Sequence, residues 1–197
     1  EDVFSSALAE THLGQIFQIE SSLYEASLST VGGGSFENYA LIPDGSNKYV
    51  GGYTEEGIYQ DSLGVSLILD QKRHCAPCVG VIYNQQQFVL SDAFALNKNS
   101  VFNDGRVYFI SEKDSLVLEM YYEEDPRFVV TKTTTLFGNS FASRHSVKVI
   151  DKQGGLEQIY LVWDKGLRNT EKNLYDDVAT YSAAYISHNK ETEDLWF

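Results

Sequence analysis

The residues best placed to do chemistry share one short turn. An apolar run, Tyr39-Ala40-Leu41-Ile42, stops at Pro43-Asp44-Gly45-Ser46-Asn47. One carboxylate, a glycine and a hydroxyl therefore follow the end of a strand. Asp44 can hold a divalent metal there. The N–H groups of Gly45 and Ser46 can face a phosphate, and the Ser46 hydroxyl can orient a water. Asp-Gly-Ser is equally a common turn sequence, so the same residues also serve as punctuation.

A second candidate is His74-Cys75-Ala76-Pro77-Cys78, which contains both cysteines of the chain. Zinc needs about four ligands, and no second such pair exists. Cys75 and Cys78 read as two reduced thiols beside a turn, with a redox pair as the alternative. His12, His74, His145 and His188 are scattered, and no Gly-x-Ser-x-Gly pattern accompanies them, which argues against a nucleophile triad. His145 reads as a packing or surface residue. Glu55-Glu56 reads as a solvated loop and Asp164 as a turn after a strand. The 13 tyrosines read as core formers rather than a base-stacking platform.

These candidates need elements to position them. Leu63 to Leu69 and Val79 to Tyr83 read as buried strands joined through the hairpin loop Asp70–Pro77. Phe88 to Phe94, Val107 to Ile110 and Phe128 to Leu136 read as further strands. Ser146 to Ile150 and Leu156 to Trp163 read as a hairpin over Gly154-Gly155. Helices are expected in three places. Residues 3–25 carry a helical face at Val3, Phe4, Ala7 and Leu8, which Leu13, Ile16, Phe17 and Ile19 continue or exchange for a strand. Ser111 to Tyr122 opens on a capping pair, Ser111 and Asp114, and repeats apolar residues at i and i+4. Asp176 to Ile186 repeats in the same way. Val31-Gly32-Gly33-Gly34-Ser35 reads as a flexible loop. Mixed strands and helices predict a layered α/β or α+β fold, and no linker divides residues 1–197, which read as a single domain.

Composition narrows the function classes. Fifteen Lys and Arg stand against 28 Asp and Glu, for a formal net charge of -13. Such a surface repels a phosphate backbone, so a nucleic-acid polymer is disfavoured as a partner. No apolar run reaches the ~20 residues of a membrane span. The chain starts at Glu1 and its one methionine is Met120, which reads as a processed, tagged or trimmed start. A cytoplasmic location is the expectation, with homodimer assembly left open.

Asp44-Gly45-Ser46-Asn47-Lys48-Tyr49-Val50-Gly51-Gly52 resembles the metal-binding signature of the inositol monophosphatase superfamily. That signature runs Asp-Pro-Ile/Leu-Asp-Gly-Thr, then two variable residues, an aromatic, an aliphatic and soon a glycine. Leu63 to Leu69 followed by Val79-Gly80-Val81-Ile82-Tyr83 is similar to the next strands of that family. Ser146-Val147-Lys148 resembles the Ser-Leu-Lys of its 3'(2'),5'-bisphosphate nucleotidase branch. Tyr175-Asp176-Asp177-Val178-Ala179 resembles a late Trp-Asp-x-Ala-Ala that opens a helix. The likeness covers roughly residues 24–186, in order.

The resemblance implies an αβαβα sandwich, shortened at both ends. It implies a Mg²⁺-dependent phosphomonoesterase acting on a small phosphorylated metabolite of inositol phosphate or 3'-phosphonucleotide type. Its metal ligands fall at Glu25, Asp44 and Asp177. Ser46 then positions the water, Gly45 and Ser46 hold phosphate, and Arg144, Ser146 and Lys148 form the substrate side. Departures from the pattern are equally specific. Leu41 stands where the family's bridging Asp would be, Tyr24-Glu25 replaces a Glu pair, and Arg144-His145-Ser146 replaces Gly-Ser-Ser. Losing a bridging carboxylate removes charge stabilisation that phosphoryl transfer relies on. The second expectation is therefore a phosphatase-like pseudoenzyme that keeps a binding or assembly role.

Overall fold

A computed structural model describes residues 14–42, 50–54, 58–68, 75–97, 107–163, 183–188 and 191–196. Every regular element among them is a β-strand. The expected αβαβα sandwich is thus overturned: the described part of the chain is all-β. No helix of the described residues is long and apolar enough to cross a membrane.

The strands form three sheets and two ribbons. The first sheet contains β1 (Ile16–Ser21), β2 (Tyr24–Ser29), β3 (Ser35–Leu41), β6 (Ser66–Ile68) and β10 (Val107–Ile110), in the order β10-β1-β2-β3-β6. The second runs β13-β12-β11-β9, from β9 (Ala95–Leu96), β11 (Ser115–Tyr122), β12 (Phe128–Phe137) and β13 (Ser143–Asp151). The third is β14-β7-β8, from β7 (Cys78–Tyr83), β8 (Gln86–Leu90) and β14 (Leu156–Val162). One ribbon pairs β4 (Val50–Tyr53) with β5 (Tyr59–Gly64), and the other pairs β15 (Ala183–His188) with β16 (Glu191–Trp196).

Two of the expected helices become strands for a readable reason. Leu116 and Met120, four apart, share a face in a helix, but four is also a multiple of the strand period. The residue between them decides. Leu118 is fully buried, whereas Val117 is exposed, so Leu116, Leu118, Met120 and Tyr122 line one side of β11. The capping pair closes a turn instead: the Ser111 hydroxyl donates to the Asp114 carboxylate, and Asp114 N–H bonds the Ser111 carbonyl. Around residues 16–29 the strand alternative prevails, with β1 antiparallel to β2. The stretch expected as a helix at 176–186 ends in β15; its earlier residues lie outside the described ones.

The expected hairpins are also re-paired. β13 pairs with β12, and β14 crosses to β7, so Gly154-Gly155 carries the chain from one sheet to another. The Asp151 carboxylate organises that crossing by accepting from the N–H groups of Gln153, Gly154 and Leu156. β7 makes its hairpin with β8 through Asn84-Gln85. Both residues have positive φ, the backbone of a tight two-residue hairpin turn.

The sheets meet in one core. Ile19, Leu28 and Phe36 come from the first sheet, Leu118, Phe128 and Leu136 from the second, and Val79 and Val81 from the third. Burying each such side chain contributes about 1.5–3 kcal/mol. Tyrosine hydroxyls fasten the first sheet to the second: Tyr24 donates to the Phe137 carbonyl and Tyr39 to the Phe141 carbonyl, each at 3.0 Å. Burial pushes the Tyr24 hydroxyl up to about 12 and the Tyr39 hydroxyl further. Both are neutral donors across the ordinary pH range.

Candidate functional site

Asp44, Gly45, Ser46 and Asp177 lie outside the described residues. Glu25 is described, on the solvent face of β2 opposite Glu20. Arg144, Ser146 and Lys148 occupy the exposed face of β13, opposite Thr135, Thr133 and Thr131. The Arg144 guanidinium lies 5.8 Å from the Phe137 ring centre. These three share a face, but Glu25 stands in another sheet. Among the described residues no group of three His, Cys, Asp or Glu side chains is set to hold a metal.

The structure gathers a different polar centre under the triglycine loop. On β12 the alternating pattern points Phe128, Val130, Lys132, Thr134 and Leu136 inward. Lys132 is therefore buried by register alone, at 0% exposure. Its ammonium donates to three carbonyls, those of Pro77 at 2.5 Å and of Gly32 and Gly34 at 3.4 Å. All three donors are thereby used, and among the described residues no carboxylate faces them. Burial in such a place disfavours charge and lowers the Lys132 ammonium to about 7.

Gly32, Gly33 and Gly34, expected to form a flexible loop, are buried and all have positive φ. Their carbonyls can turn toward Lys132 because this backbone is open to glycine. Cys75 and Cys78 form a disulfide rather than two reduced thiols. Cys78 Sγ lies 3.4 Å from the Ser35 hydroxyl, which also receives the Ala76 N–H. Thr134, next inward residue after Lys132, bonds His145 Nδ1 at 3.1 Å, and Ser143 bonds Nε2 at 3.0 Å. Burial first, and then the Lys132 charge, lower His145 to about 4.

The shift at His145 has a measurable sign. An unfolded histidine takes up its proton near pH 6.5, and the folded one resists until about 4. Its stabilising effect is present above pH 6.5 and is lost as pH falls through 4. Denaturant titrations at the two ends are expected to show about 2 kcal/mol more acid loss in the wild type than in His145→Gln. Equal losses would remove His145 from the acid response.

Beside this centre lies a cleft of about 920 Å³. Thr30 is one of its lining residues. Its N–H and carbonyl join Gln15, Gly33 and Phe94, and its hydroxyl receives the Gln15 N–H. Phe94 and Tyr122 supply aromatic walls, 5.2 Å apart between ring centres. Glu123 and Glu124 stand exposed at the rim. Tyr122 is only 8% exposed, yet its hydroxyl has no hydrogen-bond partner among the described residues. Burial first, then the charges of Asp92, Glu124 and Asp125, raise its pKa, against a smaller lowering by Arg127. The hydroxyl therefore sits in a field that attracts positive charge.

Sequence reasoning missed both features, although traces of each were visible. Counting in twos from Phe128 places Lys132 among the inward positions. The cleft has a weaker signal, Tyr121-Tyr122-Glu123-Glu124, whose partner Phe94 is distant in sequence. Set against known proteins, the chain matches no protein-family model and no curated protein.

Proposed function

We propose that this chain is a binding domain whose cleft between β9 and the end of β11 takes a small organic cation, an amine or a guanidinium compound. The observation that carries this reading is Tyr122: a largely buried aromatic ring whose hydroxyl makes no hydrogen bond among the described residues, lining a cleft with Glu123 and Glu124. Ring faces attract cations electrostatically, by about 0.5–2 kcal/mol depending on desolvation. The neighbourhood supplies its own example. The Arg127 guanidinium lies 4.4 Å from the Phe88 ring centre and 5.3 Å from that of Tyr83, while Asp125 binds it through two oxygens. The net charge of -13 favours the same class of ligand at long range.

The phosphomonoesterase expectation drew its ligand set from a fold that the described residues do not have. Glu25 and the Arg144, Ser146 and Lys148 row stand in separate sheets. Nothing in their placement favours phosphate hydrolysis over solvation. The Cys75–Cys78 disulfide fits an oxidising compartment better than the cytoplasm expected from the sequence.

Calorimetric titration with phenethylammonium and with agmatine, against neutral 2-phenylethanol, tests the reading. The cations are expected to bind at least about tenfold more tightly than the alcohol. Tyr122→Leu should weaken them about fivefold or more, and Glu123→Gln with Glu124→Gln should remove most of the salt dependence. Equal binding of alcohol and cation, or no binding of any of them, would overturn it.

A further inference from the structure

We propose that Cys75 and Cys78 are a redox-active pair served by an external dithiol, and that the reduced form holds Cys78 as a thiolate against the Lys132 ammonium. The argument starts from an unbalanced charge. Lys132 is buried, and its partners among the described residues are three carbonyls, which satisfy its N–H groups without neutralising it. One of those carbonyls belongs to Pro77, the residue before Cys78. Another belongs to Gly32, whose backbone packs so closely on Cys78 that an added Cβ would stand 2.4 Å from Sγ. The ammonium and the Cys78 sulfur are thus held by the same two backbone segments. The Ser35 hydroxyl, 3.4 Å from both the Pro77 carbonyl and Cys78 Sγ, can turn its one proton from that carbonyl to a thiolate there. A thiolate at Cys78 completes an ion pair that no described carboxylate supplies in the oxidised protein.

The two sulfurs are not equivalent. Cys75 is 5% exposed and Cys78 is fully buried. A thiolate of the external dithiol attacks Cys75 Sγ. The new sulfur–sulfur bond forms as the Cys75–Cys78 bond breaks, and the electron pair leaves on Cys78. A stabilised leaving thiolate departs faster. The second thiol of the reductant then displaces Cys75, and the reductant departs as its own cyclic disulfide. Two electrons enter the protein. Of the two protons the reductant gives up, one ends on Cys75 and the other in solvent, because Cys78 stays ionised beside Lys132.

Thiolate absorbance in the ultraviolet, followed against pH on the reduced full chain, tests this. The reduced wild type is expected to carry about one thiolate per chain at neutral pH, where ordinary thiols with a pKa near 8.5 carry a few per cent. Single substitutions assign it. Cys75→Ser, which leaves Cys78, should keep at least about ten times more thiolate at pH 7 than Cys78→Ser, which leaves Cys75. Lys132→Met in the Cys75→Ser background should move Cys78 to an ordinary or higher pKa, and Ser35→Ala should move it part of the way. Two thiols that both ionise near 8.5 in the folded, reduced wild type would overturn the proposal. So would a disulfide that excess dithiothreitol leaves intact in the folded protein.

Discussion

Alanine in place of Gly32 is expected to lower the unfolding free energy by about 2–5 kcal/mol. Two costs combine. The φ of +63° is left-handed, which costs an L-residue with a side chain about 1–2 kcal/mol. The new methyl would also stand 2.4 Å from Cys78 Sγ and 3.0 Å from the Ser35 hydroxyl. Relieving such overpacking typically costs a further 1–3 kcal/mol, about the range seen when cores are overfilled. Neither obstacle can swing away, since one is a disulfide sulfur and the other is bonded to the Ala76 N–H. Gly154 is the control. Its φ is +78°, but a Cβ there meets nothing within 4 Å. Gly154→Ala should show only the conformational cost of about 1–2 kcal/mol. Urea denaturation of the two variants measures the difference. Equal losses would mean that the packing of the loop on Cys78 contributes nothing.

Lys132 is expected to make the oxidised protein more stable in mild alkali than at neutrality. The folded ammonium titrates at about 7, while the same group in an unfolded chain titrates near 10.5. Between those values the unfolded state binds more protons, so stability rises with pH; it is fully present above 10.5 and is lost as pH falls through 7. The full span corresponds to about 4–5 kcal/mol at about 1.4 kcal/mol per unit. Tyrosines cut the window short. Tyr24 and Tyr39 are raised by burial, so above about pH 10 the unfolded chain releases their protons first and stability falls again. A maximum near pH 9–10 is therefore expected, about two to three pH units above neutrality. Lys132→Met removes the rising limb and leaves the falling one. A wild-type curve that is flat from pH 7 to 9 would contradict the burial of an ammonium that meets no carboxylate among the described residues.

The sequence was legible where alternation was strict and the strand contained its own evidence. Phe128 to Leu136, Val107 to Ile110 and Val79 to Tyr83 were read as strands and are strands. The errors came from ambiguity of period and of partner. Ser111 to Tyr122 satisfied a four-residue repeat that helix and strand share, and its capping pair is also a good turn. Strand pairing was read as local, yet β14 takes β7 and β13 takes β12, because burial of both faces of β7 outweighs adjacency in sequence. The family resemblance failed at the fold for a related reason. Glycine turns, aliphatic runs and Asp-Gly pairs punctuate many β-rich chains, so their order does not establish a sandwich with helices. Of the expected site, Arg144, Ser146 and Lys148 are gathered by β13 alone. The features with unusual physics, Lys132 and Tyr122, show their environment only after strands far apart in sequence are brought together.

The pairings also set an order in time. β1 takes β2 from the next turn, but its other edge is occupied by β10, in parallel, from far along the chain. β7 takes β8 at once, and its second edge waits for β14. During synthesis on a ribosome, the first hairpins therefore emerge with open backbone edges and uncovered valine and isoleucine faces. Closure of the core must wait until β14 has been made. Such long-range wiring slows folding relative to locally paired chains and lengthens the interval in which an exposed edge can capture a neighbouring chain. Yield on overexpression should consequently depend on synthesis rate and temperature more than on the stability of the finished fold.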